Sequence, residues 1–168
     1  MRKFILIPLL MIAMLLTSCG GGRGAVEITE GDTAEAKLEE VMHALKTKDR
    51  DAAKKLFSKQ ALADTEDIEN GIDYLFSLVQ GEVTEVGDLT WGSDEQIRYG
   101  VKERKIFSWC DFSTARQDYY LFMLIYDRDD KNPDNIGLYS LRVVAHDGNY
   151  AKHVTAWQDM QQPGIYAP

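Results

Sequence analysis

Apolar positions along this chain follow a helical period up to Gly81 and a strand-like pattern after it. From Asp32 onward, Ala34, Leu38, Val41, Met42 and Leu45 recur at the spacing of one face of an amphipathic helix. Asp32 is placed to cap this helix, with Glu35 supporting its first turn and Lys46 and Lys48 suiting its C-terminal end. A second, shorter helix is expected over 49–58, with Ala52, Ala53, Leu56 and Phe57 turned inward. A third begins at Asp64 or Thr65 and carries Ile68, Ile72, Leu75, Phe76 and Val79, with Gly81 as its stop. Beyond that point the pattern predicts strands over 82–91, 99–112, 118–127, 136–146 and, as a last short piece, 150–157. Gly92-Ser93-Asp94, the loop 127–135 and Asp147-Gly148-Asn149 read as the connections. The run Tyr119–Tyr126 has no polar alternation, which is the mark of a strand covered on both faces.

Helices first and strands afterwards make an α+β domain. The expected architecture is three N-terminal helices packed on a curved antiparallel sheet of four to five strands, leaving a cone with an opening. The sequence contains no internal repeat. Length and the 45% hydrophobic content suit one globular domain.

The N-terminus reads differently. Arg2 and Lys3 precede an apolar run, Phe4–Leu16, and then Leu16-Thr17-Ser18-Cys19-Gly20. A basic start, an apolar middle and small residues at a cleavage point define a secretory signal peptide. The run is about a dozen residues, whereas a membrane span needs roughly 20. The Leu-Thr-Ser-Cys ending resembles the lipobox of bacterial lipoproteins. That resemblance implies lipidation at Cys19, cleavage before it, and anchoring at the extracytoplasmic face of the cell membrane. The expected layout is a signal peptide over 1–18, a glycine-rich tether over 19–31, and one domain over 32–168.

Charge and cysteine content narrow the partners. The net charge is −8, and residues 1–18 contribute only basic groups, so the remainder is more acidic still. An acidic domain lacks the basic footprint that nucleic acid demands. Of the two cysteines Cys19 is assigned to lipid, which leaves Cys110 without an intrachain partner and reads it as a small buried core residue.

Several features together resemble a family of bacterial surface lipoproteins built on one domain of unknown function. They are the lipobox, the helix segment Asp51-Ala52-Ala53-Lys54-Lys55-Leu56-Phe57-Ser58, the strand Gly137-Leu138-Tyr139-Ser140-Leu141-Arg142-Val143, and the ending Pro163-Gly164-Ile165-Tyr166. The resemblance implies the cystatin-like roll of the nuclear transport factor 2-like superfamily. It brings no catalytic residues with it.

Candidate chemistry centres on the cone. Asp111 beside Trp109, with Tyr99, Tyr120 and Tyr139 on neighbouring strands and Trp157 from the last segment, is the expected pocket for a small apolar or amphipathic ligand. A carboxylate and a tyrosine shut in an apolar cone would also suit an isomerase or hydrolase. The bland reading puts Asp111 in water and the tyrosines in the core. Asp130-x-Asn132-x-Asp134-Asn135 partly matches a calcium loop, but Pro133 interrupts it and Leu141 stands where the closing glutamate belongs. His43, His146 and His153 have no metal-binding spacing, and neither a nucleophile elbow nor a phosphate loop is present, so no metal or cofactor is expected. Arg98, Lys102, Arg104 and Lys105 form a basic cluster that would either receive an anion or keep an edge strand soluble. The open face of such a sheet also leaves room for a homodimer. The preferred reading is a lipid-anchored binding or interaction module, with the enzyme as the alternative. Replacing Cys19 by alanine should abolish incorporation of radiolabelled fatty acid and release the protein from membranes. Unchanged labelling would refute the anchor.

Overall fold

A computed structural model describes residues 28–148 and 162–166. Cys19, the tether up to residue 27, His153, Trp157 and the strand expected over 150–157 lie outside the described residues. The first helix, α1, spans Glu30–Thr47 and so begins two residues before the expected Asp32. The cap is Thr29, not Asp32. Thr29 Oγ1 accepts the Asp32 backbone N–H at 3.2 Å, and Asp32 Oδ2 accepts the Thr29 N–H at 2.8 Å. The two residues form a reciprocal capping box. The donated Thr29 hydrogen bonds hold the Asp32 carboxyl below its ordinary range.

The second helix ends earlier than the expected 49–58, and a further, unexpected helix follows it. α2 covers Arg50–Lys55 behind the Asp49 cap, and α3 covers Lys59–Asp64 behind Ser58. Ser58 Oγ accepts the Ala61 N–H at 3.1 Å while the Ser58 N–H donates to Leu138 O at 2.8 Å. A residue bonded across to the sheet cannot continue a helix, so the chain restarts there. α4 spans Ile68–Leu78 behind Asp67. Four α-helices are therefore present among the described residues where three were expected, and a 3-10 turn covers Pro133–Asn135.

The sheet has six strands: β1 (Val83–Val86), β2 (Thr90–Arg98), β3 (Val101–Thr114), β4 (Asp118–Asp129), β5 (Gly137–Ala145) and β6 (Gly164–Tyr166). The order is β1-β3-β4-β5-β6, with β2 also paired to β3. All pairs are antiparallel except β5–β6, which is parallel, so the sheet is mixed and larger than the four to five antiparallel strands expected. Gly92-Ser93-Asp94 is not a turn but lies within β2, opposite Phe107, Ile106 and Lys105. The reversal comes later, at Tyr99-Gly100, where φ is +53° and +83°. Two consecutive positive φ values make the tight hairpin turn whose twist matches its strands.

Along β4, Tyr119 to Ile125 are all buried. Alternation sends Tyr119, Leu121, Met123 and Ile125 into the main core with Leu45, Ile72 and Leu75 of the helices. Tyr120 and Phe122 point the other way and join Val144 and Trp109 in a separate cluster. The space between helices and sheet, where the sequence suggested an open cone, is filled with side chains. Tyr119 also ties the layers together. Its hydroxyl donates to Leu78 O at 2.9 Å and accepts the Gln80 N–H at 3.1 Å. Lys48, in the left-handed conformation at the end of α1, donates to Val79 O at 2.7 Å and lies over the Phe76 ring.

Phe57 is buried and bridges to Leu138, at the junction where the helices meet β5. Phe57→Ala should cost about 3–5 kcal/mol, read as a lower midpoint in urea unfolding. An unchanged midpoint would mean that this junction is not packed.

Candidate functional site

β3, β4 and β5 bring the site together through their register. Trp109 lies opposite Phe122, Asp111 opposite Tyr120, and Tyr120 opposite Val144. Trp109, Asp111 and Tyr120 therefore share the face turned away from the helices. They line one open hollow of about 320 Å³ with Asp88, Thr90 and Cys110. A neighbouring hollow of about 240 Å³ shares Asp111 and extends past Glu85 and Asp118 to His146.

Tyr120 is the most constrained polar group here. Its hydroxyl sits 2.6 Å from His146 Nε2, and the two rings are 4.3 Å apart. Burial raises the Tyr120 phenol above its ordinary range, and the charges of Asp111 and Asp147 push it further up. The phenol oxygen can donate to His146 Nε2 or accept from it, and the histidine tautomer sets the direction. Asp111 is exposed, not shut in an apolar cone as an acid–base site would need. Cys110 is buried, and burial with the nearby Asp111 charge pushes its thiol up to about 12. It is a packing residue, not a nucleophile.

Of the six pocket residues read from the sequence, three meet: Trp109, Asp111 and Tyr120. Tyr99 sits in the hairpin turn and is fully exposed, far along β3 from the hollow. Tyr139 lies on a different part of the sheet. It contacts Tyr126 edge-on at 5.3 Å and lines another hollow with Lys105 and Tyr126. Burial and the charge of Asp64 raise its phenol. Trp157 lies outside the described residues. The sequence offered His146 only as a metal or triad residue, and it did not point to Asp88 or Thr90. His146 follows Val144 by two positions, so the β4–β5 register places it on the Tyr120 face, but that register is not visible in the chain itself.

The other sequence candidates are occupied structurally. Arg104 donates to Asp127 at 2.6 Å and to Glu30 at 2.9 Å, joining β3 to β4 and to the start of α1. Lys105 pairs with Glu103 at 3.0 Å and lies over the Tyr126 ring. These two cations hold the fold together. In the calcium-like loop, Asp130 accepts from Arg128 at 2.8 Å and from the Lys102 N–H at 3.0 Å. Asp129, which sequence reasoning passed over, organises this loop. It accepts from the Lys131 and Asn132 backbone and from Asn135 Nδ2. Burial alone would raise its carboxyl, but those hydrogen bonds outweigh it and hold the group below its ordinary range.

The family model of a domain of unknown function (DUF5104) matches residues 40–146, from the middle of α1 to the end of β5. The chain belongs to this family. Comparison with curated proteins gives no match. The DUF5104 match takes in Trp109, Asp111, Tyr120 and His146, so the whole hollow lies inside the shared domain. Among the described residues, no helix is long and apolar enough to cross a membrane.

The Cys110 environment gives a direct test. Iodoacetamide at pH 8 should leave the Cys110 peptide unlabelled in the folded protein and label it fully in denaturant. Labelling at the rate of a free thiol would place Cys110 outside the core.

Proposed function

We propose that this protein is a non-catalytic binding module, lipid-anchored through Cys19 on the extracytoplasmic face of the membrane. It holds a small amphipathic ligand against Trp109, Asp111 and Tyr120. The observation that carries this reading is the strand register, which gathers the Trp109 indole, the Tyr120 phenol and the Asp111 carboxylate around one hollow that Asp88 also lines. The anchor rests on the lipobox-like Leu16–Gly20 segment. The roll of the nuclear transport factor 2-like superfamily is supported by helices packed on one face of a six-stranded sheet.

The lining refines the ligand. Asp88 and Asp111 flank aromatic walls, and no lysine or arginine among the described residues lines the hollow. Aromatic faces beside carboxylates favour an organic cation over a wholly apolar molecule. Titration with octylammonium should therefore change tryptophan fluorescence, whereas octanoate should not. Trp109→Ala should abolish the change, and Asp111→Asn should weaken binding about threefold or more. No fluorescence response to either probe would overturn the reading.

One observation favours an enzyme instead, the 2.6 Å contact between Tyr120 and His146 beside Asp111. In that reading Tyr120 delivers a proton and His146 restores it. Turnover of a bound compound, lost in Tyr120→Phe with binding kept, would decide for the enzyme.

A further inference from the structure

β2 ends the sheet on one side. It pairs with β3 along its whole length, from Thr90 opposite Trp109 to Arg98 opposite Val101, and with no other strand among the described residues. An unpaired edge presents backbone donors and acceptors to any strand that can match it. Charged side chains normally prevent this, but β2 carries both signs in a particular order. Asp94, Gln96 and Arg98 lie on one face, and a hydrogen-bond chain joins them. Gln96 Nε2 donates to Asp94 Oδ2 at 3.3 Å, and Arg98 Nη2 donates to Gln96 Oε1 at 3.1 Å. Such a row, read backwards, is its own electrostatic complement.

We propose that β2 is a self-association strand: two copies of this chain pair antiparallel, edge to edge, about a two-fold axis through Gln96. The backbone phase permits it. In a two-residue hairpin the closing pair, Arg98 and Val101, exchanges hydrogen bonds across β2–β3. By alternation, Glu95 and Ile97 then direct their N–H and C=O groups to the open side. An axis at Gln96 sets Glu95 of one copy opposite Ile97 of the other, so these outward groups bond each other. The same register sets Asp94 against Arg98 twice, at the non-hydrogen-bonded positions where side chains come closest.

Neighbouring registers of the same hydrogen-bonding phase are poorer on charge: an axis at Ile97 sets Gln96 against Arg98 and keeps neither Asp94–Arg98 pair. An axis at Glu95 opposes Glu95 to itself, and one at Asp94 opposes two Asp94 carboxylates. Burial points the same way. Ile97 is 58% exposed on a stretch of β2 whose other residues, Ser93 to Arg98, are polar. With the axis at Gln96 the two Ile97 side chains become diagonal neighbours and cover each other. The proposed contact uses an isologous surface, as two-fold association requires. It leaves the Trp109–Tyr120 hollow untouched and does not depend on what that hollow binds.

Register-specific cross-linking of the full chain tests the proposal. Cα atoms directly opposite at a non-hydrogen-bonded position lie about 4.5 Å apart, within disulfide range. Gln96→Cys should give a disulfide-linked dimer on mild oxidation, well above the level of the parent chain. Asp94→Cys alone should not, whereas a mixture of Asp94→Cys and Arg98→Cys proteins should form the mixed dimer. In sedimentation, Asp94→Arg should weaken association about tenfold, and the exchange Asp94→Arg with Arg98→Asp should restore it. Asp94 and Arg98 are exposed and Gln96 is half-buried on the sheet edge, so the variants should melt close to the parent. Cross-linking of Gln96→Cys no faster than Asp94→Cys, or failure of the charge exchange to restore association, would overturn the proposal.

Discussion

The fold depends on one constraint, the burial of Tyr119–Ile125 in the middle of β4. Seven consecutive buried residues leave no face of that strand for water. Each large apolar side chain taken from water contributes about 1.5–3 kcal/mol, so exposing either side of β4 would remove a large part of the net stability. The helices answer on one side, where Leu45, Ile72 and Leu75 meet Leu121, Met123 and Ile125. β3 and β5 flank β4 because its backbone groups, equally cut off from water, must be paired.

The same demand explains why the helices and the hollow do not share a face. Filling the helix side completely leaves no cone between the layers. Residues one position out of phase, Trp109, Asp111 and Tyr120, are carried to the opposite side by strand alternation alone. There the polar groups are arranged against one another. Tyr120 settles on His146, and Asp111 stays exposed beside them. The hollow is consequently open and lined by carboxylates beside aromatic rings.

Charged residues elsewhere are spent on connections. Arg104 joins β3, β4 and the start of α1. Asp129 ties the loop after β4 to Asn132 and Asn135. Lys48 closes the end of α1 onto the end of α4. Pairs at exposed positions contribute little singly, but these anchor points fix where segments end, which packing alone leaves loose.

Much of this was legible in the chain. Helical spacing over 34–45 and 68–79 located α1 and α4, and the unbroken run at 119–126 identified the strand buried on both faces. Both patterns are local and repeat at the period of the backbone, so composition and spacing carry them without knowledge of any neighbour. The inert character of Cys110 followed from its apolar surroundings in the same way. The new helix start at Ser58 was not legible, because it depends on a hydrogen bond to Leu138, far along the chain. Nor was the turn at Tyr99-Gly100, since Gly92-Ser93-Asp94 has stronger turn chemistry and only pairing with β3 keeps it in a strand. The site shows the same boundary. Trp109 and Asp111 could be named from one strand, but their union with Tyr120 and His146, and the exclusion of Tyr99 and Tyr139, required the register between strands. Side-chain type is written residue by residue, whereas which residues meet is decided by how distant strands align, and a shift of one position would have sent every one of them to the other face.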